Sequence, residues 1–280
     1  MAAAAVLAGG SWAVVLAVSG STGTRHRLVP RAVCRIGSPA VSCGADLAAW
    51  SLIATLTGPA QLFSGPSEGA PKVAVGTSWP SAVSFPVVAT ERDGWAEIRL
   101  ISRQVGALAW IPPATYVLTR TQYHVVVDIS QRRLLLFERA RLALRAPAEV
   151  GAPGYPTPTG RYFVALFELP PVPAYSAFVI ITSALSATET NWEEQGQPVL
   201  SITSDVNAAS VIGTSGAAVT HGGISLYVSD LERLRPLPLG TPIDIVAYLR
   251  PRASAARSTS TSAASAKADS TQPTVHPGGS

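Results

Sequence analysis

His221 stands in the run Thr220-His221-Gly222-Gly223-Ile224-Ser225-Leu226, an imidazole flanked by hydroxyl side chains and next to two glycines. An imidazole titrates near neutral pH and can take a proton from a nearby hydroxyl or thiol, so this run is the first place to look for acyl-transfer chemistry. A hydroxyl nucleophile at Thr220 or Ser225 would need a base oriented by an acidic partner and an oxyanion hole, and no acidic orienter stands beside His221 in the sequence. A thiol nucleophile would have to be Cys34 or Cys43, the only two cysteines, and both lie far upstream in an N-terminal stretch. His221 with Asp205 and Asp230 is a poor ligand set, one imidazole with two distant carboxylates, so no metal and no cofactor are expected.

The elements that must position this run are strands. Gly and Pro number 23 each and are spread along the chain, which favours short strands joined by turns. Residues 51–119 read as a compact all-β unit, with apolar clusters LIATLTG, VSFPVVATERDGWAEIRL and GALAWIP between Pro and Gly turns. Asp93-Gly94 is a hairpin turn signal, because both residues tolerate the positive φ that the turn requires. After it, Trp95, Glu97 and Arg99 alternate with Ala96, Ile98 and Leu100 at the period of a strand. Trp95 and Trp110 read as core residues.

A second unit spans residues 122–249. YHVVVDIS and LLLFE form a hairpin, and a third strand runs over 142–150. The Pro156-Thr157-Pro158-Thr159-Gly160 turn feeds a strand over 161–167. Residues 170–198 are poorly patterned and read as a long loop or lid. LGTPIDIVAYL closes the unit with a strand that ends near Leu249.

The flanks set the compartment. Residues 1–24 carry no charge, an apolar run that suits a signal segment or a membrane anchor and implies export to the cell envelope. Residues 25–50 are a linker in which Cys34 and Cys43, a close even pair in an exported chain, read as a small disulfide loop. Residues 250–280 are rich in Ser, Thr, Ala and Pro and cannot bury enough apolar surface to offset their ordering entropy, so a disordered tail is expected. The net charge of +4 is modest and the arginines are scattered rather than interleaved with stacking aromatics, which argues against nucleic acid.

Three phrases carry a family resemblance. VVVDISQRRLLLFE is similar to the opening hairpin of L,D-transpeptidase (YkuD-type) domains. Gly151 to Gly160, G-A-P-G-Y-P-T-P-T-G, resembles that family's PTPTG element, and IGTSGAAVTHGGISLYVSDLERL followed by PLGTPIDIV resembles its SHGCIRL signature and closing GTPV strand. The phrases DGWAEIRL and GALAWIP resemble the bacterial SH3-like domains that precede such enzymes. The fold this implies is mainly β, a small SH3-like barrel followed by a YkuD-type β-sandwich-like L,D-transpeptidase fold.

In the family the signature supplies a Cys thiolate that attacks a stem-peptide carbonyl, with a His that lowers its pKa. Residue by residue, the resemblance puts Thr220 at the Ser, His221 at the His, Gly222 at the Gly, Gly223 at the Cys and Ser225 at the Arg. The family's upstream Ile-His-Gly-Thr phrase has no histidine here; Thr203 or Ser204 lies near that position. The resemblance therefore implies a cell-envelope homologue that has lost thiol catalysis and binds peptidoglycan stem peptides or cell-envelope proteins, with Thr203, Ser204 and Ser225 as ligand contacts. Two other readings stand beside it: acyl transfer or hydrolysis through a displaced nucleophile, and an SH3-like wall-binding module on a scaffold domain.

Overall fold

The computed structural model describes residues 49–76, 83–101, 106–170, 176, 178–186, 188, 199–204 and 208–249, and the strand backbone of 34–37 and 40–43. The expected signal or anchor segment over 1–24 and the expected disordered tail over 250–280 lie outside the described residues. In the linker, β1 (Cys34–Gly37) and β2 (Ala40–Cys43) pair antiparallel, with Cys34 directly opposite Cys43.

The first unit is a seven-stranded antiparallel sheet. Its strands are β3 (Ser51–Leu56), β4 (Ala60–Phe63), β5 (Lys72–Gly76), β6 (Ser84–Thr90), β7 (Ala96–Arg99), β8 (Leu108–Ile111) and β9 (Tyr116–Thr121), in the order β5-β4-β8-β7-β6-β3-β9. The expected Asp93-Gly94 turn joins β6 to β7: Gly94 has φ +89° and Glu91 N–H donates to the Trp95 carbonyl at 2.8 Å. Both tryptophans are in the core, Trp95 edge-on to Phe63 with ring centres 5.4 Å apart and Trp110 in the same buried cluster. The last strand, β9, runs past residue 119 to pair along the whole of β3.

The second unit is a ten-stranded mixed sheet. It begins with β10 (Tyr123–Asp128), β11 (Arg133–Glu138), β12 (Arg141–Pro147) and β13 (Glu149–Gly151), and continues with β14 (Gly160–Glu168), β15 (Val179–Leu185) and β16 (Val199–Ser204). After a turn of helix, α1 (Ala208–Val211), come β17 (Ala217–Thr220), β18 (Ile224–Leu226), the short α2 (Val228–Glu232) and β19 (Pro242–Val246). The sheet order is β12-β11-β10-β19-β14-β15-β16-β18-β13-β17. Asp128, at the end of the valine run, is fully buried; its Oδ1 accepts from Ser130 Oγ and Gln131 N, and its Oδ2 from Arg133 Nη2 and Leu249 N. One carboxylate thus closes the first hairpin and ties down the end of the unit.

Two expectations change. The strand read over 142–150 is two strands, because Ala148 switches partners: its N–H donates to Arg132 O while its carbonyl accepts from Ala217 N. And the region read as a loop over 170–198 contains β15, whose VIITSAL buries Ile180, Ala184 and Leu185 between β14 and β16.

The second unit contributes to the core of the first. Along β14 the side chains alternate, so Tyr162 and Val164 enter the core of the second sheet while Phe163 enters that of the first and Ala165 packs against it. Phe163 is fully buried and meets Phe85 edge-on, ring centres 5.8 Å apart. Gly240, at φ +82°, lies so close to Ile53 that a Cβ there would fall 2.8 Å from Ile53 Cγ2.

Candidate functional site

Parallel pairing of β16 with β18 sets Ile202 opposite Ile224, Thr203 opposite Ser225 and Ser204 opposite Leu226. Side chains alternate across a strand. Leu200, Ile202, Ser204, Ile224 and Leu226 are all buried, which leaves Ser201, Thr203, Gly223 and Ser225 on the opposite, partly exposed face. The sequence-derived pair Thr203 and Ser204 is thereby separated. Thr203 shares a face with Ser225, whereas Ser204 points inward and its Oγ donates to Ser176 Oγ at 3.1 Å.

The row extends one strand further. Glu149 on β13 is in register with Ser225, so Thr203, Ser225 and Glu149 lie side by side across three strands, and Glu149 is only 5% exposed. β17 flanks β13 on the other side, with Gly151 opposite Thr220.

Between β17 and β18 the chain turns at Thr220 to Gly223. Thr220 Oγ1 donates to the Gly223 carbonyl at 2.6 Å, and Gly222 holds φ +98°, a conformation that L side chains rarely adopt. A side chain at Gly222 would also press on Leu200 Cδ2 at 3.3 Å and the Pro156 carbonyl at 3.4 Å. Gly223 is different: its φ is not left-handed, and a Cβ would meet only the Ser201 carbonyl at 3.4 Å and Ser201 Oγ at 4.0 Å, ordinary contact distances. A Cβ at 223 is accommodated, and the group that borders it is Ser201.

His221 is exposed and lies flat against Tyr155, ring centres 4.3 Å apart and planes 14° from parallel. The turn that carries Tyr155 is braced from beneath. Gly151 N–H donates to Thr157 Oγ1 at 2.8 Å, Tyr155 N–H to Ala152 O at 2.9 Å and Ala152 N–H to Thr220 O at 2.8 Å. A Cβ at Gly151 would fall 2.2 Å from the Tyr155 carbonyl oxygen and 2.4 Å from Thr157 N, so only glycine lets the PTPTG turn close over it. The two sequence phrases, 151–160 and 220–226, form one site.

Chemically, the site offers an imidazole, hydroxyls at Ser201, Thr203 and Ser225, and a buried carboxylate at Glu149. It has no thiol. Among the described residues no three His, Cys, Asp or Glu side chains group as a metal site, and no helix is long and apolar enough to cross a membrane. Sequence reading missed Ser201, Glu149 and Tyr155. Ser201 was detectable, because the period of Leu200, Ile202 and Ser204 puts Ser201 on the face of Thr203; Glu149 and Tyr155 depend on long-range pairing and had no such signal.

Comparison with known proteins agrees with this architecture. Residues 122–245 match the YkuD family model, the L,D-transpeptidase catalytic domain. No curated protein matches the chain. Among solved structures it is similar to an L,D-transpeptidase from Mycobacterium smegmatis, 16% identical with TM-score 0.36 and covering 59% of this chain and 89% of that one. It is also similar to an L,D-transpeptidase from Mycobacterium tuberculosis, 20% identical with TM-score 0.34 and covering 60% and 74%. L,D-transpeptidase 3 from the same organism is 18% identical with TM-score 0.37, covering 67% and 92%. Residues 122–245 thus form a mainly β domain matching the L,D-transpeptidase catalytic domain of the YkuD family.

Proposed function

We propose that this chain is a cell-envelope L,D-transpeptidase homologue that no longer forms a thioester and uses the former catalytic cleft to bind peptidoglycan stem peptides. The observation that supports the proposal is Gly223, which the resemblance of the THGGISL run sets at the nucleophile's position and where a Cβ would make only ordinary contacts. A thiolate is the nucleophile such a site needs near neutral pH, and the chain's two cysteines face each other on β1 and β2. What remains suits binding: an exposed imidazole and hydroxyls on a partly exposed sheet face. Ser225 and Thr203 are the ligand contacts in this reading, with His221 holding the loop through Tyr155.

The test is covalent chemistry plus retention. Purified protein incubated with a carbapenem is expected to keep its unmodified mass, and to be retained on purified peptidoglycan sacculi. A carbapenem adduct would overturn the loss of catalysis, and failure to sediment with sacculi would overturn the binding role.

One observation favours a second reading. Ser201 Oγ borders the space left by the absent side chain, 4.0 Å from where a Cβ at 223 would lie, and so is a displaced hydroxyl nucleophile for acyl transfer or hydrolysis. That reading requires turnover of a stem peptide that disappears in both Ser201→Ala and His221→Ala. Residues 51–119 we read as an SH3-like unit in an exported protein; because Phe163 is buried in its core, it works as part of one body with the second sheet rather than as a separate wall-binding module.

A further inference from the structure

We infer that Tyr155, backed by His221, is a saccharide subsite, and that the ligand is recognised through a pyranose ring of the glycan as well as through its peptide. This rests on the stem-peptide reading above and adds a second point of contact.

Tyr155 is a large aromatic side chain that remains 40% exposed although its turn is hydrogen-bonded to itself and to Thr220. Exposed aromatics on mobile turns are common and need no ligand to explain them. This one is fixed from several directions: Gly151 packs under its carbonyl, the Ala152 and Tyr155 amides tie the turn to Thr220 and to itself, and the ring lies 4.3 Å from the His221 ring. Holding the ring in place in the free protein removes much of the ordering cost that a ligand would otherwise meet.

The chemistry around the ring selects the occupant. A pyranose presents an apolar C–H face bordered by hydroxyl and amide groups, so it needs a flat apolar surface next to hydrogen-bonding groups. The Tyr155 ring supplies the surface. The Gly222 turn that packs against the Tyr155 and Pro156 carbonyls leads directly to Gly223, and from there to the partly exposed hydroxyls of Ser201, Thr203 and Ser225. A bare aliphatic side chain would cover the ring and leave the hydroxyls without a partner.

The experiment compares two soluble ligands on the full chain: a disaccharide–tripeptide muropeptide and the same tripeptide without its sugars, titrated by calorimetry. The muropeptide is expected to bind roughly threefold to tenfold more tightly, as expected for one aromatic contact. The preference should vanish in Tyr155→Ala and persist in Tyr155→Phe, with thermal unfolding showing that both variants are folded. Equal binding of the two ligands by wild type, or a preference that survives in Tyr155→Ala, overturns the subsite alone. Binding of neither ligand rejects the stem-peptide reading and the subsite together.

Discussion

The Tyr155 and His221 rings stack 4.3 Å apart, and they join two segments more than sixty positions apart in the sequence. Beneath them Ala152 N–H donates to Thr220 O and Gly151 pairs with Thr220, so the PTPTG turn and the THGG turn are tied together.

Gly151→Ala should destabilise the protein by about 3 kcal/mol, since its Cβ would fall 2.2 Å from a backbone oxygen that cannot rotate away. Gly154→Ala, three residues on with nothing within 4 Å of its Cβ, is the matched control and should be close to neutral. Urea unfolding of the two variants checks the contrast; equal midpoints would contradict the close approach at Gly151.

Gly223→Cys should fold with a melting temperature within about 4 °C of wild type, because its Cβ makes only ordinary contacts. The new thiol should be alkylated by iodoacetamide in the native state, and peptide mapping would locate the label at 223. Protection of this thiol until the protein is unfolded would mean that the cleft is closed over it.

Phe163→Ala should cost about 3–5 kcal/mol and should loosen both sheets, although the residue belongs by sequence to the second. With the other four tryptophans replaced by Phe, Trp95 and Trp110 report on the first sheet by fluorescence, while far-ultraviolet dichroism follows the whole chain. Wild type is expected to unfold in one transition by both probes. Resolved transitions, with only the second shifted in the variant, would show that the cores are independent.

Alkaline stability depends on Tyr162. Burial pushes its phenol up to about 12 from 10.0, so the folded state keeps a proton that the unfolded chain releases. The stabilisation from the neutral phenol is therefore complete below pH 10 and is lost as pH rises toward 12, with a loss of about 2–3 kcal/mol. Tyr162→Phe gives up the hydrogen bond to the Thr159 carbonyl but should be less sensitive to pH across that window. Equal slopes for variant and wild type would refute the assignment.

Cys34 and Cys43 occupy directly opposed positions of the β1–β2 ladder, which suits a disulfide in an oxidising compartment. Non-reducing peptide mapping of protein produced in an oxidising compartment should recover residues 34 and 43 in one linked species that separates on reduction. Two alkylatable thiols in that native protein would exclude the bond.

Much of the fold was legible from the sequence alone. Period-2 alternation marks β7, Asp93-Gly94 marks its hairpin, and the valine run ending at Asp128 marks β10, because strand geometry and turn stereochemistry act over a few residues. The same locality made the Pro156 to Gly160 turn readable ahead of β14. Residues 170–198 were misread because β15 lies between Pro-rich and polar stretches that hide its pattern.

What only the tertiary structure decided was which face and which partner each strand received. Alternation along β14 shows that Tyr162 and Phe163 point opposite ways, yet it cannot say that each enters a different core. Alternation on β16 separates Thr203 from Ser204, but the parallel register with β18 and the antiparallel register of β13 place Ser225 between Thr203 and Glu149. Local propensity carries no information about register between strands distant in sequence; that is settled by packing of both sheets at once, and it is where the site's remaining chemistry was assembled.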